Sequence, residues 1–347
     1  MTAVTAASTA PGPPGAATLP EPRGPLSAAV CSVLAGELSA TALPPETAEG
    51  ADPYGEDLQL ALYTCYELHY QGFRDVDPEW EWDLGLLRLR AGMERRFLEA
   101  LRGDVPGGDD VTAELGQLLT EPVDGGGPSH HLAEGGTWWE MREYLAHRSV
   151  YHLKEADPHA WVIPRLSGQA KAALVAVEFD EFGGGRAERA HSRLFADLLS
   201  GAGLDPEYLT YLDIVPAPAL SLVNLMSLCG LHRSLRGALV GHFAAAEITT
   251  APSARRMAKA LERLEAPPQC VFFYTEHIEA DAVHEQVMRH EVLGDLLRRE
   301  PGLAPDVVFG IQATELLEAR LADRLMHAWQ QGGSSLRRPL SGPAAGR

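Results

Sequence analysis

Apolar side chains recur three or four positions apart along most of this chain of 347 residues, and no run alternates apolar and polar residues for long enough to form a strand. Residues 57–70 place Leu58, Leu62 and Cys65 on one stripe, and residues 84–101 continue the same spacing. This spacing matches the 3.6-residue period of an α-helix rather than the two-residue period of a strand. The sequence therefore predicts an all-α protein.

Stretches rich in small and turn-forming residues divide the chain. Residues 1–26 are rich in Ala, Pro, Gly and Thr, and residues 332–347 have the same character, so we expect both to be disordered. Glycine-rich runs at 103–110 and 125–128 indicate a linker. We therefore predict an N-terminal helical extension with its linker over residues 27–135, and a helical bundle over residues 136–331.

The charge balance and the cysteines exclude several classes of function. The chain has 48 Asp and Glu against 29 Lys and Arg, a formal net charge of −19, whereas nucleic acids and anionic membranes bind basic surfaces. Its four cysteines are far apart and form no CxxC pair, which argues against a disulfide framework and a thiolate zinc site. No apolar run is long enough to span a bilayer. We expect a cytoplasmic protein that binds neither nucleic acid nor membrane.

The most specific pattern is the run of His277, Asp281 and His284. On a helix these positions fall within about 60° of one another, so both imidazoles and the carboxylate share one face. Two histidines and one carboxylate suit non-haem Fe(II), with Mn and Zn as competitors. The alternative is a solvated polar face, because this segment is acidic throughout.

Glu247 is the clearest carboxylate in apolar surroundings, within the run GALVGHFAAAEITT. A lone buried carboxylate costs several kcal/mol unless it is paired or binds a metal. No basic residue lies three or four positions away on the same helix, which favours a metal ligand.

A third segment carries Glu178, Glu181, Glu188 and His191 around the glycine run 183–185. Glu188 and His191 have the ExxH spacing of di-iron helices. On a continuous helix Glu181 and His191 would point about 80° apart, but three glycines weaken a helix, and a break there would turn both inward. The alternative is a plain turn between helices, with Glu188 in solvent.

Glu155 follows an apolar and aromatic helix face, four residues before His159. Pro158 disturbs the helix between them. From this spacing alone, an exposed helix end and a ligand are both compatible with Glu155.

Four runs, YHLKEADPH, DEFGGGRAERAH, NLMSLCGLHRSLRGALVGH and HIEADAVHEQV, resemble the actinobacterial iron-containing redox enzyme family, a group of haem-oxygenase-like di-iron oxidases. The resemblance covers about residues 137–330, and YGEDLQLALYTCYELHYQGF is similar to the family's N-terminal part. It implies a haem-oxygenase-like seven-helix bundle with an N-terminal helical extension. It also implies a non-haem di-iron centre in which two Fe(II) ions react with O2 to oxidise a small molecule, often an amino acid or derivative in specialised metabolism.

Taken position by position, the resemblance implies a set of ligands from three core helices and one auxiliary helix: Glu155; Glu181 and His191; Glu247; and His277, Asp281 and His284. In other di-iron bundles the second-helix carboxylate lies three residues before the histidine, which would be Glu188. We prefer Glu181 because Phe179 and Phe182 flank it.

The same resemblance leaves two other functions of this fold to weigh. A haem-binding or haem-degrading protein would need a proximal histidine on an early helix, for which His152 is the candidate. A cofactor-free hydrolase would need a cysteine nucleophile, for which Cys229 is the candidate. For the di-iron oxidase we expect a small-molecule substrate and an external electron donor, and a homodimer is compatible with it. The ligand set does not distinguish N-oxygenation, desaturation and C–C cleavage.

Overall fold

A computed structural model describes residues 17–40, 45–120 and 125–340, without the side chains of Pro45 and residues 279–282. By its internal contacts the chain divides into two compact units, Met1–Ala100 and Leu101–Arg347. No residue in the described part of the chain lies in a strand. The prediction of an all-α fold is confirmed.

Fourteen α-helices are present in the described ranges. In chain order they are α1 (Pro25–Leu34), α2 (Glu56–Glu67), α3 (Leu84–Asp104), α4 (Val111–Leu118), α5 (Pro128–Glu134), α6 (Trp138–His152), α7 (Asp157–Ala160), α8 (Gly168–Glu181), α9 (His191–Gly201), α10 (Ala217–Leu231), α11 (Arg236–Arg263), α12 (Pro268–Gln286), α13 (Gly294–Arg299) and α14 (Ala304–Gln330). A π-helical segment, Val287–Leu293, joins α12 to α13. Short 3-10 turns at Gly183–Gly185 and Ala187–Arg189 lie between α8 and α9.

In the first unit, α1 packs against α2, and the predicted apolar stripes form the interior. Leu58, Leu62 and Cys65 of α2 are buried, as are Leu89 and Phe97 of α3. The 3.6-residue spacing therefore identified buried residues of both helices, although α2 is buried on every side from Leu58 to Glu67.

Residues 1–16 of the segment that we expected to be disordered lie outside the described residues, but the end of that segment, up to residue 26, differs from the expectation. Leu26 is buried, and α1 begins at Pro25. The carboxylate of Asp57 accepts hydrogen bonds from the backbone N–H groups of Leu26 (2.9 Å) and Ser27 (2.7 Å). An acidic side chain from α2 thus caps the first turn of α1, a tertiary contact that composition does not reveal.

The second unit is built around α11, which packs against α5, α10, α12 and α14. The approach of α11 to α14 depends on two glycines. A Cβ atom on Gly310 of α14 would overlap the carbonyl oxygen of Ala238, and one on Gly241 of α11 would overlap that of Val307. Only glycine lets the two backbones come this close.

The helices α4 and α5 also belong to the second unit, although we assigned them to an N-terminal extension ending at residue 135. The helix α4 packs against α11 and α14, and α5 packs against α11. Arg263 of α11 donates a hydrogen bond to the carbonyl of Leu132 in α5 (2.7 Å). Packing moves the boundary between units to residues 100 and 101.

Residues 332–340 also differ from our expectation of disorder after residue 331, and residues 341–347 lie outside the described residues. Ser335 and Leu336 are buried. Ser335 donates hydrogen bonds to the buried carboxylate of Glu143 through its backbone N–H (2.8 Å) and its hydroxyl (2.7 Å). A buried carboxylate needs such donors, so residues 334–336 complete the packing around α6. None of the helices in the described part of the chain has both the length and the apolar character that crossing a bilayer requires.

Candidate metal centre

Six of the seven candidate ligands lie in two groups of three in the second unit. The first group is Glu155, His191 and His277, and the second is Glu181, Glu247 and His284; in each, one donor atom per residue lies within 4.8 Å of the others. All six residues are buried. The side chain of the seventh candidate, Asp281, lies outside the described residues.

The helix α12 contributes one histidine to each group, because His277 and His284 lie two turns apart on one face. Nδ1 of His277 lies 2.7 Å from the carbonyl oxygen of Phe273. A carbonyl only accepts, so Nδ1 carries the proton and Nε2 carries the lone pair. This arrangement fixes the tautomer in which Nε2 can bind a metal ion.

Glu155 reaches the first group from a turn and not from a helix. The helix α6 ends at His152, and Ala156 has φ of 75° and ψ of −32°, a conformation that is strained for a residue with a Cβ. Oε1 of Glu155 lies 3.8 Å from Nε2 of His277 and 2.7 Å from Nδ1 of His152. Burial alone would raise the pKa of Glu155, yet His152 and His277 hold it well below its usual range.

Glu181 ends α8, and His191 begins α9. The residues Gly183–Gly185 between them all have positive φ, so the chain leaves the helix, and Oε2 of Glu181 comes within 2.8 Å of Nδ1 of His191. Glu188 is exposed in the intervening turn and lies in neither group. Phe179 and Phe182 are 56% and 40% exposed, so the apolar flanks we used to prefer Glu181 do not explain its burial.

Glu247 and His284 meet in the second group. Nδ1 of His284 lies 3.1 Å from Oε2 of Glu247 and 3.4 Å from Oε1 of Glu181. Burial opposes a charge on His284, but Glu247, Glu181 and Asp180 outweigh it and raise its pKa to about 9. Burial raises the pKa of Glu247, and the charge of Glu181 adds to this effect. These carboxylates form an anionic site that attracts a cation.

Glu178 is a further carboxylate that we noted but did not select. It is 3% exposed, and both of its carboxylate oxygens are buried without a hydrogen-bond partner among the described residues. Burial, followed by the charges of Glu181 and Glu247, raises the pKa of Glu178 to about 9. Its spacing, one turn before Glu181 on the apolar face of α8, was the available signal.

A cavity of about 490 Å³ adjoins both groups. Glu155, Glu181, Glu247 and His277 line part of it, and the remaining wall includes Tyr144, Arg148, Tyr151, Tyr274 and Glu318. Arg148 forms two parallel hydrogen bonds with the Glu318 carboxylate, both 2.7 Å long. The volume lies within the range of small-molecule sites, roughly 300–1,000 Å³.

A helical bundle with paired imidazole and carboxylate groups beside a cavity defines a candidate metal-dependent enzyme. A family model described as iron-containing redox enzyme matches residues 142–319, just over half of the chain. The chain belongs to the iron-containing redox enzyme family. The family resemblance inferred from the sequence is therefore confirmed.

One curated relative also matches. Nitrosourea synthase from Streptomyces achromogenes subsp. streptozoticus is 24% identical over 238 residues, which is 66% of this chain and 50% of that protein. The chain thus spans half the length of this relative. All six described ligand candidates lie within the segment that the family model matches.

Proposed function

We propose that this protein is a non-haem di-iron oxidase or oxygenase that uses O2 to oxidise a small molecule. The observation that carries the proposal is the position of Glu181, which directs one carboxylate oxygen to His191 of the first group and the other to His284 of the second. A carboxylate placed in this way suits two metal ions held side by side. The cytoplasmic location and the external electron donor expected from the sequence belong to the same proposal.

The donor set supports iron. Each group combines imidazole with carboxylate, the ligands that non-haem Fe(II) takes in proteins, and neither group contains a thiolate. Asp281, one turn from both His277 and His284 on α12, is the sequence candidate for a further carboxylate. Bound there, a pair of Fe(II) ions would supply electrons to O2 and oxidising power toward the substrate.

Different residues of the chain would then bind the metal ions and bind the substrate. The six described ligand candidates bind the metal ions and orient them, and burial excludes water from both groups. The cavity holds the substrate next to them, and the Arg148–Glu318 pair presents charged atoms to its polar groups.

The relative suggests which substrates to test first. By its name, nitrosourea synthase forms a nitrosourea, a compound with oxidised nitrogen. Amines, amides and amino acids with an accessible nitrogen are therefore the first class to screen here.

The two alternative functions fit the geometry less well. Nδ1 of His152, the candidate haem ligand, is engaged by Glu155, and the surrounding buried carboxylates would repel the anionic propionates of haem. Cys229 is buried, and burial raises its pKa to about 12, so the nucleophilic thiolate is suppressed.

Metal analysis after anaerobic Fe(II) loading tests the proposal. We expect two iron ions per chain, an iron-dependent uptake of O2, and a loss of both in Glu181→Ala. Glu188→Ala is the matched control, because Glu188 is exposed and lies in neither group. Fewer than one iron per wild-type chain, or a Soret band after haem addition with no iron uptake, would overturn the proposal.

A further inference from the structure

His152 is the last residue of α6, and it contacts a candidate ligand without belonging to either group. Its Nδ1 lies 2.7 Å from Oε1 of Glu155. Its ring packs against Phe195, with the ring centroids 4.8 Å apart, and in a T-shaped arrangement against Phe273, with the centroids 5.5 Å apart. Two aromatic rings therefore hold this imidazole in place.

Glu155 needs such support because of where it lies. It belongs to the turn that follows α6, so its backbone is not part of a regular helix. Ala156, the next residue, has a strained backbone. Its Oε2 atom is buried and has no hydrogen-bond partner among the described residues. The bond from His152 to Oε1 is the short contact that orients this carboxylate relative to His277.

We propose that His152 is a positioning residue: it donates its Nδ1 hydrogen to Oε1 of Glu155 and thereby orients the Glu155 carboxylate to bind a metal ion with His191 and His277. The inference rests on the proposed function, because Glu155 must be a ligand for its orientation to matter. Hydrogen bonds to metal-binding carboxylates are a common way in which proteins hold their ligands.

The test compares metal binding by three variants. His152→Phe keeps the packing against Phe195 and Phe273 but removes the donor. His152→Asn keeps an N–H close to the Nδ1 position, whereas His152→Gln places it near the Nε2 position. Titration with Co(II), followed by its visible absorption, reports the number of ions and their affinities without depending on turnover.

We expect His152→Phe and His152→Gln to weaken one of the two binding steps by about 10- to 100-fold, the usual effect of removing such a partner. We expect His152→Asn to stay within about threefold of the wild type, with the same Co(II) spectrum. Thermal unfolding of the metal-free variants identifies any that fail to fold, and the remaining ones decide the test.

The chain offers a matched control in the same unit. Nε2 of His131 lies 3.0 Å from Oε1 of Glu140, and the His131 ring stacks on Trp329. Neither His131 nor Glu140 belongs to the two groups of candidate ligands. His131→Phe should leave both binding steps unchanged.

Three results separate this inference from the proposed function. A wild type that binds no metal overturns both. A wild type that binds two ions, together with unchanged affinities in His152→Phe and His152→Gln, overturns the positioning role alone. A His152→Asn variant that loses metal as fully as Glu155→Ala would make His152 itself a ligand and also overturn that role.

Discussion

The Oε2 atom of Glu181 lies 2.8 Å from Nδ1 of His191, although the two residues are ten positions apart and three glycines stand between them. A continuous helix would point them about 80° apart. The chain brings them together by leaving the helix at Phe182, passing through three residues of positive φ and entering α9 at His191. The spacing of the two groups of candidate ligands therefore depends on the geometry of this turn.

Gly183→Ala tests that dependence. A Cβ atom there would lie 2.5 Å from the backbone N of Ala190, next to His191, so the turn has to open. We expect iron binding to weaken at least tenfold, measured by titration under limiting Fe(II). Gly184→Ala is the control, because it has a similar positive φ but its Cβ would meet only Phe179, at 3.8 Å. Equal effects of the two substitutions would contradict this account.

The burial of Glu178 predicts how the free energy of unfolding depends on pH. The pKa of Glu178 is about 9 in the folded chain and ordinarily about 4.5, so the folded state holds a proton that the unfolded state releases. The stability of the fold that holds Glu178 as a neutral acid is therefore complete below pH 4.5, and it declines as the pH rises toward 9. In metal-free protein, Glu178→Gln should flatten this decline and raise the free energy of unfolding at pH 8 by about 2–4 kcal/mol.

Urea unfolding at pH 5 to 8 in the presence of a chelator measures this effect. Glu188→Gln, at an exposed position in the turn that follows α8, should reproduce the wild-type pH dependence. Parallel curves for the wild type and Glu178→Gln would show that Glu178 is not buried as a neutral acid.

The close approach of α11 and α14 predicts a stability effect at Gly310. A Cβ atom at this position would overlap the carbonyl oxygen of Ala238, so Gly310→Ala has to separate the helices. We expect a loss of about 1–3 kcal/mol in the free energy of unfolding. Gly116→Ala, in α4 with no atom within 4 Å of the added Cβ, should instead be neutral or stabilising by up to about 1 kcal/mol. Chemical denaturation compares the two, and a stabilised Gly310→Ala would refute the close contact.

The C-terminal segment predicts a difference between two truncations. Removing residues 332–347 takes three hydrogen bonds from the buried carboxylate of Glu143, two donated by Ser335 and one by the Ser334 hydroxyl, and exposes the surface that Leu336 covers. We expect this to cost at least about 3 kcal/mol. Removing only residues 341–347 keeps Ser335 and Leu336 and should leave the melting temperature within about 2 °C. Similar melting temperatures for both truncations would mean that the contacts to Glu143 contribute little.

Much of the fold was predictable from local patterns. The period of apolar residues predicted α2 and α3 and identified the buried face of α3, because the side chains on one face of a helix follow from their spacing. The burial of α2 on every side was not predictable from that period. The termini were predicted less well. Composition suggested disorder at Leu26 and Leu336, but contacts with Asp57 and Glu143, distant in sequence, hold these segments.

The candidate site divides in the same way. The order and types of the candidate ligands were visible in the sequence, and the shared face of His277 and His284 followed from their spacing. The choice between Glu181 and Glu188 rested on the wrong reason, since Phe179 is exposed. The glycine turn makes the difference, because it exposes Glu188 and leaves Glu181 buried.

The sequence by itself determined the helices, their buried faces and the acidic and imidazole residues that those faces carry, because periodicity and side-chain chemistry are local properties. Tertiary structure alone decided how the candidates divide into two groups, that Glu181 contacts one histidine of each group and that His152 contacts Glu155. These relationships depend on how α11 packs against α12 and on how the chain turns after α6 and α8. Backbone conformation and packing between distant segments set both.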